Sequence, residues 1–199
     1  MLDATMRRLI DPPLNAAAGI IGTKISANSI TIGGFLLGVG SAYAVVQGQF
    51  TSALILLLLN RIADGLDGAV ARQTAATDLG AHLDVVSDFI LWAILPLAFL
   101  FHDMNNAFAA AILLSSFAMS MTVFLAFAIQ AEKRGTVSDA QGKKGFYYLA
   151  GLAEGTETIL FFIAAMTYPH SFAPLALLFA AFVYLSVIGR LIVSFQSLR

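Results

Sequence analysis

Four aspartates fall in stretches otherwise made almost wholly of leucine, isoleucine, valine, alanine and glycine: Asp64 and Asp67, then Asp84 and Asp88. Spacings of three and four bring each pair to one side of a helix. A short polar stretch centred near Ala76 separates the pairs, so two helices joined there form a hairpin. Asp67 and Asp84 lie nine and eight residues from that centre, and Asp64 and Asp88 both lie twelve. At a rise of about 1.5 Å per residue, the pairs are level across the hairpin. The expectation is a box of four carboxylates. Only Arg61 and Arg72 stand nearby in sequence, which leaves a deficit of positive charge that bound cations would fill. Carboxylates without histidine or cysteine favour hard cations, Mg2+ or Mn2+. Two such ions suit displacement at phosphorus, where they steady the attacking and the leaving oxygen.

Small residues leave room beside the box. Gly68 and Ala71 follow Asp67 by one and four residues on much the same helix face, and Gly80 precedes Asp84 by one turn. A bulky phosphate-bearing ligand fits that space, with Arg72 able to supply charge to a pyrophosphate.

The elements that carry these residues belong in lipid. Of 199 residues, 59% are hydrophobic and 12% charged, against about a quarter charged in soluble domains. Mean hydropathy is +0.84. No cysteine is present, which excludes disulfides and thiolate metal sites, and no basic run points to nucleic acid. Stretches of about 20 apolar residues cross a bilayer as helices. The sequence predicts an all-α integral membrane protein, one domain over 1–199, with six spans at about 27–46, 50–72, 79–101, 107–130, 145–167 and 173–195. Residues 2–18 mix apolar and charged side chains, and Pro12-Pro13 are expected to break the helix there. This segment reads as an amphipathic stretch lying at the interface. With six spans, every lysine and arginine falls on one side of the membrane, and the opposite connections near 47–51, 101–106 and 167–171 carry none. Basic residues concentrate on the cytoplasmic side, so both termini and the 131–144 loop are expected there. Gly34 with Gly38, and Gly151 with Gly155, sit at the spacing that lets helices approach closely.

The run Asp64-x2-Asp67-Gly68-x2-Ala71-Arg72-x7-Gly80-x3-Asp84-x3-Asp88 resembles the signature of the CDP-alcohol phosphotransferase family, in particular a less characterised bacterial branch. The signature spans 25 residues, and the six-span layout extends the likeness over the chain. The resemblance implies transfer of a substituted phosphate from a CDP-alcohol, CDP-diacylglycerol first among them, to an alcohol acceptor with release of CMP. The setting it implies is a bacterial-type inner membrane and phospholipid biosynthesis. It implies two Mg2+ ions, or Mn2+, on Asp64, Asp67, Asp84 and Asp88, with Asp88 also the general base. It implies CDP contacts from Asn28, Thr31, Asp64, Gly68, Ala71, Arg72 and Gly80, and a homodimer. Positioning and charge neutralisation carry phosphoryl transfer, so aspartates and metal are adequate equipment.

Other polar residues have weaker claims. Glu154 and Glu157 lie three apart in the fifth predicted span, where a carboxylate either binds the acceptor or bonds to a neighbouring helix. Lys144, in a basic loop with Lys133, Arg134 and Lys143, either reaches a substrate phosphate or serves orientation and attraction to anionic lipid. The two ideas imply different acceptors, a polyol or amine in the first case and a phosphate in the second. His82, His102 and His170 are scattered singly, Trp92 reads as packing or interface, and Asp78 reads as a helix cap. A divalent-cation transporter, an inactive scaffold and an intramembrane aspartyl protease are competing readings. One cluster depth without a polar track across the membrane speaks against the first, four intact aspartates against the second, and Gly68 with Arg72 against the third.

Overall fold

The structure, a computed structural model, describes residues 3–21, 24–134 and 154–198. Among them are seven α-helices and no strand: α1 (Asp3–Ile21), α2 (Ala27–Val46), α3 (Phe50–Gln73), α4 (Asp78–His102), α5 (Ala107–Lys133), α6 (Gly155–Thr167) and α7 (Phe172–Leu198). Single 3-10 turns, Met104–Asn106 and Pro169–Ser171, lead into α5 and α7.

Local chemistry sets the ends. The Ser26 hydroxyl accepts from the Ser29 N–H at 3.2 Å and caps α2. Gly48, at φ +72°, makes the tight reversal into α3 that a side chain would resist. Thr77 caps α4 by accepting from the Gly80 N–H at 3.0 Å. Asp78, expected to be that cap, is instead the first helical residue, one position too late to reach the orphan donors. At the far end, the Arg134 guanidinium donates to the carbonyl of Ser197 at 3.2 Å and to that of Leu198, tying the end of α5 to the last turn of α7.

Helix α1 corrects an expectation. It runs unbroken through Pro12 and Pro13. Proline's fixed φ is helical, so what is lost is backbone hydrogen bonds. Packing opposes that loss: Leu14 and Ala18 lie with Leu66, Ala69 and Val70 of α3, and the Gln73 amide donates to the Asn15 carbonyl at 2.8 Å. A Cβ on Gly65 would stand 2.6 Å from Leu14 Cδ1, so the glycine gives the Leu14 side chain its seat against α3.

Helix α2 packs on both α3 and α4, and α5 packs on α7, with α4 against α5 and α6 against α3 joining the two groups. The close approach expected of Gly34 and Gly38 is present. A Cβ on Gly34 would lie 2.9 Å from Ala63 Cβ, and one on Gly38 2.9 Å from Leu91 Cδ1. Aromatic stacks fill the main core, Phe99 on Phe172 at 4.2 Å, Phe161 on Phe179 at 4.7 Å and Trp92 on Phe162 at 5.8 Å. The outer surface stays apolar, with Leu36, Ile55, Ile62, Phe108, Leu178 and Phe195 all largely exposed.

Among the described residues, four helical segments suffice by length and composition to cross a membrane: Ala27–Val46, Asp78–His102, Met104–Lys133 and Pro169–Leu198. Helix α3 is equally long but carries Arg61, Asp64, Asp67 and Arg72, and α6 contributes 13 described residues. Residues 145–153, the start of the expected fifth span, lie outside the described residues, as does Gly151.

Candidate metal centre

Residues 74–77 join α3 to α4 as the aspartate spacing predicts, but the two helices pack on α2 rather than closely on each other and meet through their charged side chains. Carboxylate oxygens of Asp64, Asp84 and Asp88 lie within 4.8 Å of one another. Asp67 is not of that trio. Three residues turn a helix by about 300°, so Asp67 points some 60° away from Asp64. That offset carries it toward α2, where it is only 5% exposed and faces Thr31 and the Gly68 N–H. Thr31 donates its hydroxyl to the Ala27 carbonyl at 3.1 Å. The expected box is therefore a trio with a fourth carboxylate buried beside it.

A cation built into α3 bridges two of the trio. The Arg61 Nη2 donates to Asp88 Oδ1 at 2.8 Å, and Nη1 lies 3.8 Å from Asp64 Oδ2. Arg61 Nε donates to Asn60 Oδ1 at 2.7 Å, and Asn60 Nδ2 donates to the Gly34 carbonyl of α2 at 2.8 Å. The guanidinium carbon stands 5.0 Å from the centre of the Trp92 ring.

The donors suit a divalent cation. They are all carboxylate oxygens, which is the choice of a hard ion. Asp67 Oδ2 is buried without a hydrogen-bond partner among the described residues. An orphaned acceptor of this kind is costly unless a cation or its water satisfies it.

The trio lies in the wall of a cavity of about 440 Å³. Of the site residues expected from the sequence, Asp64, Asp67, Gly68, Arg72, Asp84, Asp88 and Glu154 line it, and Arg61 does too. A Cβ on Gly68 would meet only the end of Arg72, at 3.3 Å, so the space left there is open. Asn28 lines a different, smaller cavity, with Lys24, Ser26, Thr74 and Thr77. Thr31, Ala71, Gly80 and Glu157 line neither. Gly80 does not leave ligand room as expected: the Asn28 side chain takes that place, 2.9 Å from where a Cβ would be. Lys144, with Lys143, lies outside the described residues.

The glutamates also differ from expectation. Glu154 is not inside a helix but is the extended N-cap of α6, at φ −119° and ψ −170°. The Glu157 carboxylate accepts from the Glu154 N–H at 3.1 Å, and the two form a capping box. They therefore do not share a face. Glu157 closes the helix end, whereas Glu154, 6% exposed, lines the cavity.

Other lining residues escaped the sequence reading of the site. Arg190 of α7 is 7% exposed, lines the cavity and donates to Ser120 Oγ of α5 at 3.0 Å. Its signal was present, as a lone arginine inside an apolar span. Trp92, read as packing, lines the cavity as well. Ile10, Asp11 and Leu14 bring α1 into the wall, and nothing in their spacing marked them.

A model of the CDP-alcohol phosphatidyltransferase family matches residues 24–192. The inner membrane protein YnjF of Escherichia coli is 36% identical over 201 residues, covering 100% of this chain and 98% of its own. A phosphatidylcholine synthase of Borreliella burgdorferi is 30% identical over 76 residues, 36% of this chain and 32% of its own. The fold is similar to that of phosphatidylinositol phosphate synthase (PgsA1) of Mycobacterium tuberculosis. A structure of that protein with CDP-DAG bound superposes with TM-score 0.72 at 19% identity, over 91% of this chain and 92% of the other. A second, in complex with manganese and citrate, gives 0.70 at 21%, over 92% and 88%.

Proposed function

Because the chain belongs to the CDP-alcohol phosphatidyltransferase family, we propose that it transfers the phosphatidyl group of CDP-diacylglycerol to an alcohol and releases CMP, as a step of phospholipid biosynthesis. The observation that carries this reading is the convergence of Asp64, Asp84 and Asp88 within 4.8 Å in a cavity that Gly68 and Arg72 also line. Asp64, Asp67, Asp84 and Asp88 hold divalent cation, Mg2+ or Mn2+ and two ions by preference. When bound, it neutralises the pyrophosphate and steadies the charge that develops on the attacking and leaving oxygens. The open space above Gly68 and the Arg72 guanidinium receive the CDP part, with Ala71, Asn28, Thr31 and Gly80 holding the end where α3 joins α4. Ile10, Leu14, Phe89, Met121 and Phe124 give the same cavity an apolar side for acyl chains.

Asp88 takes the proton of the acceptor hydroxyl. The oxygen attacks the phosphorus attached to the lipid, the bond from that phosphorus to the CMP oxygen breaks, and the electron pair leaves with CMP. Glu154 and Arg190, which line the cavity, meet the acceptor, and Arg190 favours one carrying an anionic group. Lys144 is a further candidate for that contact, and Glu157 acts through Glu154.

The single domain over 1–199 spans the membrane six times, with α3 and α6 completing the four evident spans. Helix α1 lies at the interface, and both termini and the cavity face the cytoplasm. Two copies associate in a bacterial-type inner membrane.

The test is CMP release by purified protein with CDP-diacylglycerol and Mg2+ across a panel of acceptors, beside Asp88→Asn and an EDTA control. Acceptor-dependent CMP that falls at least about a hundredfold in Asp88→Asn and vanishes with EDTA is the expected outcome. No CMP from any CDP-lipid or CDP-headgroup, in folded protein that binds Mn2+, would sink the reading.

A further inference from the structure

We infer that Asn60 and Arg61 form a built-in cation clamp on the carboxylate cluster: Asn60 positions Arg61, and Arg61 orients Asp88 while competing with divalent cation for the same negative charge. The part concerning turnover rests on the phosphotransfer reading above, and the part concerning metal affinity stands without it.

Arg61 is fixed on each side it presents. Nε is held by Asn60 at 2.7 Å, Nη2 by Asp88 at 2.8 Å, Nη1 lies 3.8 Å from Asp64, and the Trp92 ring covers the group at 5.0 Å. A guanidinium is a planar fork that can serve these directions together, whereas an ammonium is a single point. Asn60 is 4% exposed and its other end is tied to the Gly34 carbonyl at 2.8 Å, so α2 sets the amide and the amide sets the fork. The chain of contacts ends on the carboxylate that faces the acceptor in the proposed reaction. Orientation is what such a chain supplies, and small misplacement of a reacting group costs about a hundredfold. The same positive charge, placed between two carboxylates, opposes a divalent ion that needs them.

Opposite signs follow for affinity and turnover. In Arg61→Gln, Mn2+ binding to detergent-solubilised protein, read by electron paramagnetic resonance of the free ion, tightens about tenfold. CMP turnover at saturating metal falls about a hundredfold. A lost metal ligand would weaken binding instead. Arg61→Lys keeps the charge, so its Mn2+ affinity stays within about twofold while turnover still falls. Asn60→Ser lowers turnover at unchanged Mn2+ affinity, and in the Arg61→Lys background it lowers turnover no further. Weaker Mn2+ binding in Arg61→Gln overturns the competition. Additive losses from Asn60→Ser and Arg61→Lys overturn the positioning role, leaving Asn60 as a packing residue between α2 and α3. Should Arg61→Gln not fold, the Arg61→Lys and Asn60→Ser pair decides alone. If wild-type protein releases no CMP, the phosphotransfer reading fails, and the Mn2+ comparison still decides the competition.

Discussion

Asp67 shows how much one residue's station matters. All four aspartates line the cavity, but the Asp67 carboxylate is buried against α2, with Oδ2 fully enclosed and Thr31 beside it, whereas Asp64, Asp84 and Asp88 are half-buried. Replacing it with asparagine keeps the shape and a hydrogen-bonding oxygen but removes the charge. The Mg2+ concentration for half-maximal CMP release should then rise at least about tenfold, in line with loss of a ligating or supporting group. Turnover should recover substantially at saturating Mg2+, and a magnesium titration of CMP release checks both. An unchanged half-saturation point would leave Asp67 a purely structural carboxylate. The four aspartates were legible in the sequence because charge in an apolar helix is costly, about 2.5–3.5 kcal/mol each at the bilayer centre by insertion scales. The different surroundings of Asp67 were not legible, because spacing gives the direction of a side chain and not what packs there. The same holds for Glu154 and Glu157. Their spacing of three fits one helix face and also a capping box, and only the helix start distinguishes the two.

At the scale of elements, α3 and α4 bear the four aspartates, α2 packs on both and α1 packs on α3. Helix boundaries followed the sequence closely, 27–46 against Ala27–Val46 and 79–101 against Asp78–His102, because apolar length and turn residues are local signals. The seat of α1 was hidden, since it depends on Gly65 meeting Leu14 across 51 residues of chain. Substituting Gly65 tests that seat. In Gly65→Val the new side chain occupies the place of Leu14 Cδ1, and Leu14 must leave its seat, disturbing the wall that α1 gives the cavity. The KM for CDP-diacylglycerol should rise about tenfold or more with a smaller change in kcat, because α1 lines the wall without carrying a proposed reacting group. Steady-state kinetics on the purified variant decide it. An unaltered KM would mean that α1 is no part of the donor's binding surface.

For the whole molecule, the absence of cysteine is an experimental advantage. Single cysteines introduced at Lys133 and at Met104, in otherwise unchanged protein, should react with an impermeant maleimide from opposite sides of the membrane. The cysteine at 133 should label only when the cytoplasmic face is exposed, as the one-sided distribution of basic residues requires. Labelling of both from one side would refute the proposed topology. That distribution was legible in sequence because it needs only charges and span count, whereas the joining of the two helix groups through α6 needed the fold. The short α3–α4 connection has one more implication, for how the protein is made. Asp64 to Asp88 form one unbroken stretch of 25 residues, and Asn60, Arg61 and Gly34 precede it. All the groups of the carboxylate cluster and its clamp thus leave the ribosome before α5, α6 and α7, with a single short turn between the two aspartate pairs. Contacts of such short range form early and at low entropic cost. Arg61 can therefore accompany Asp64 and Asp88 as they enter lipid, before α5, α6 and α7 exist to enclose them.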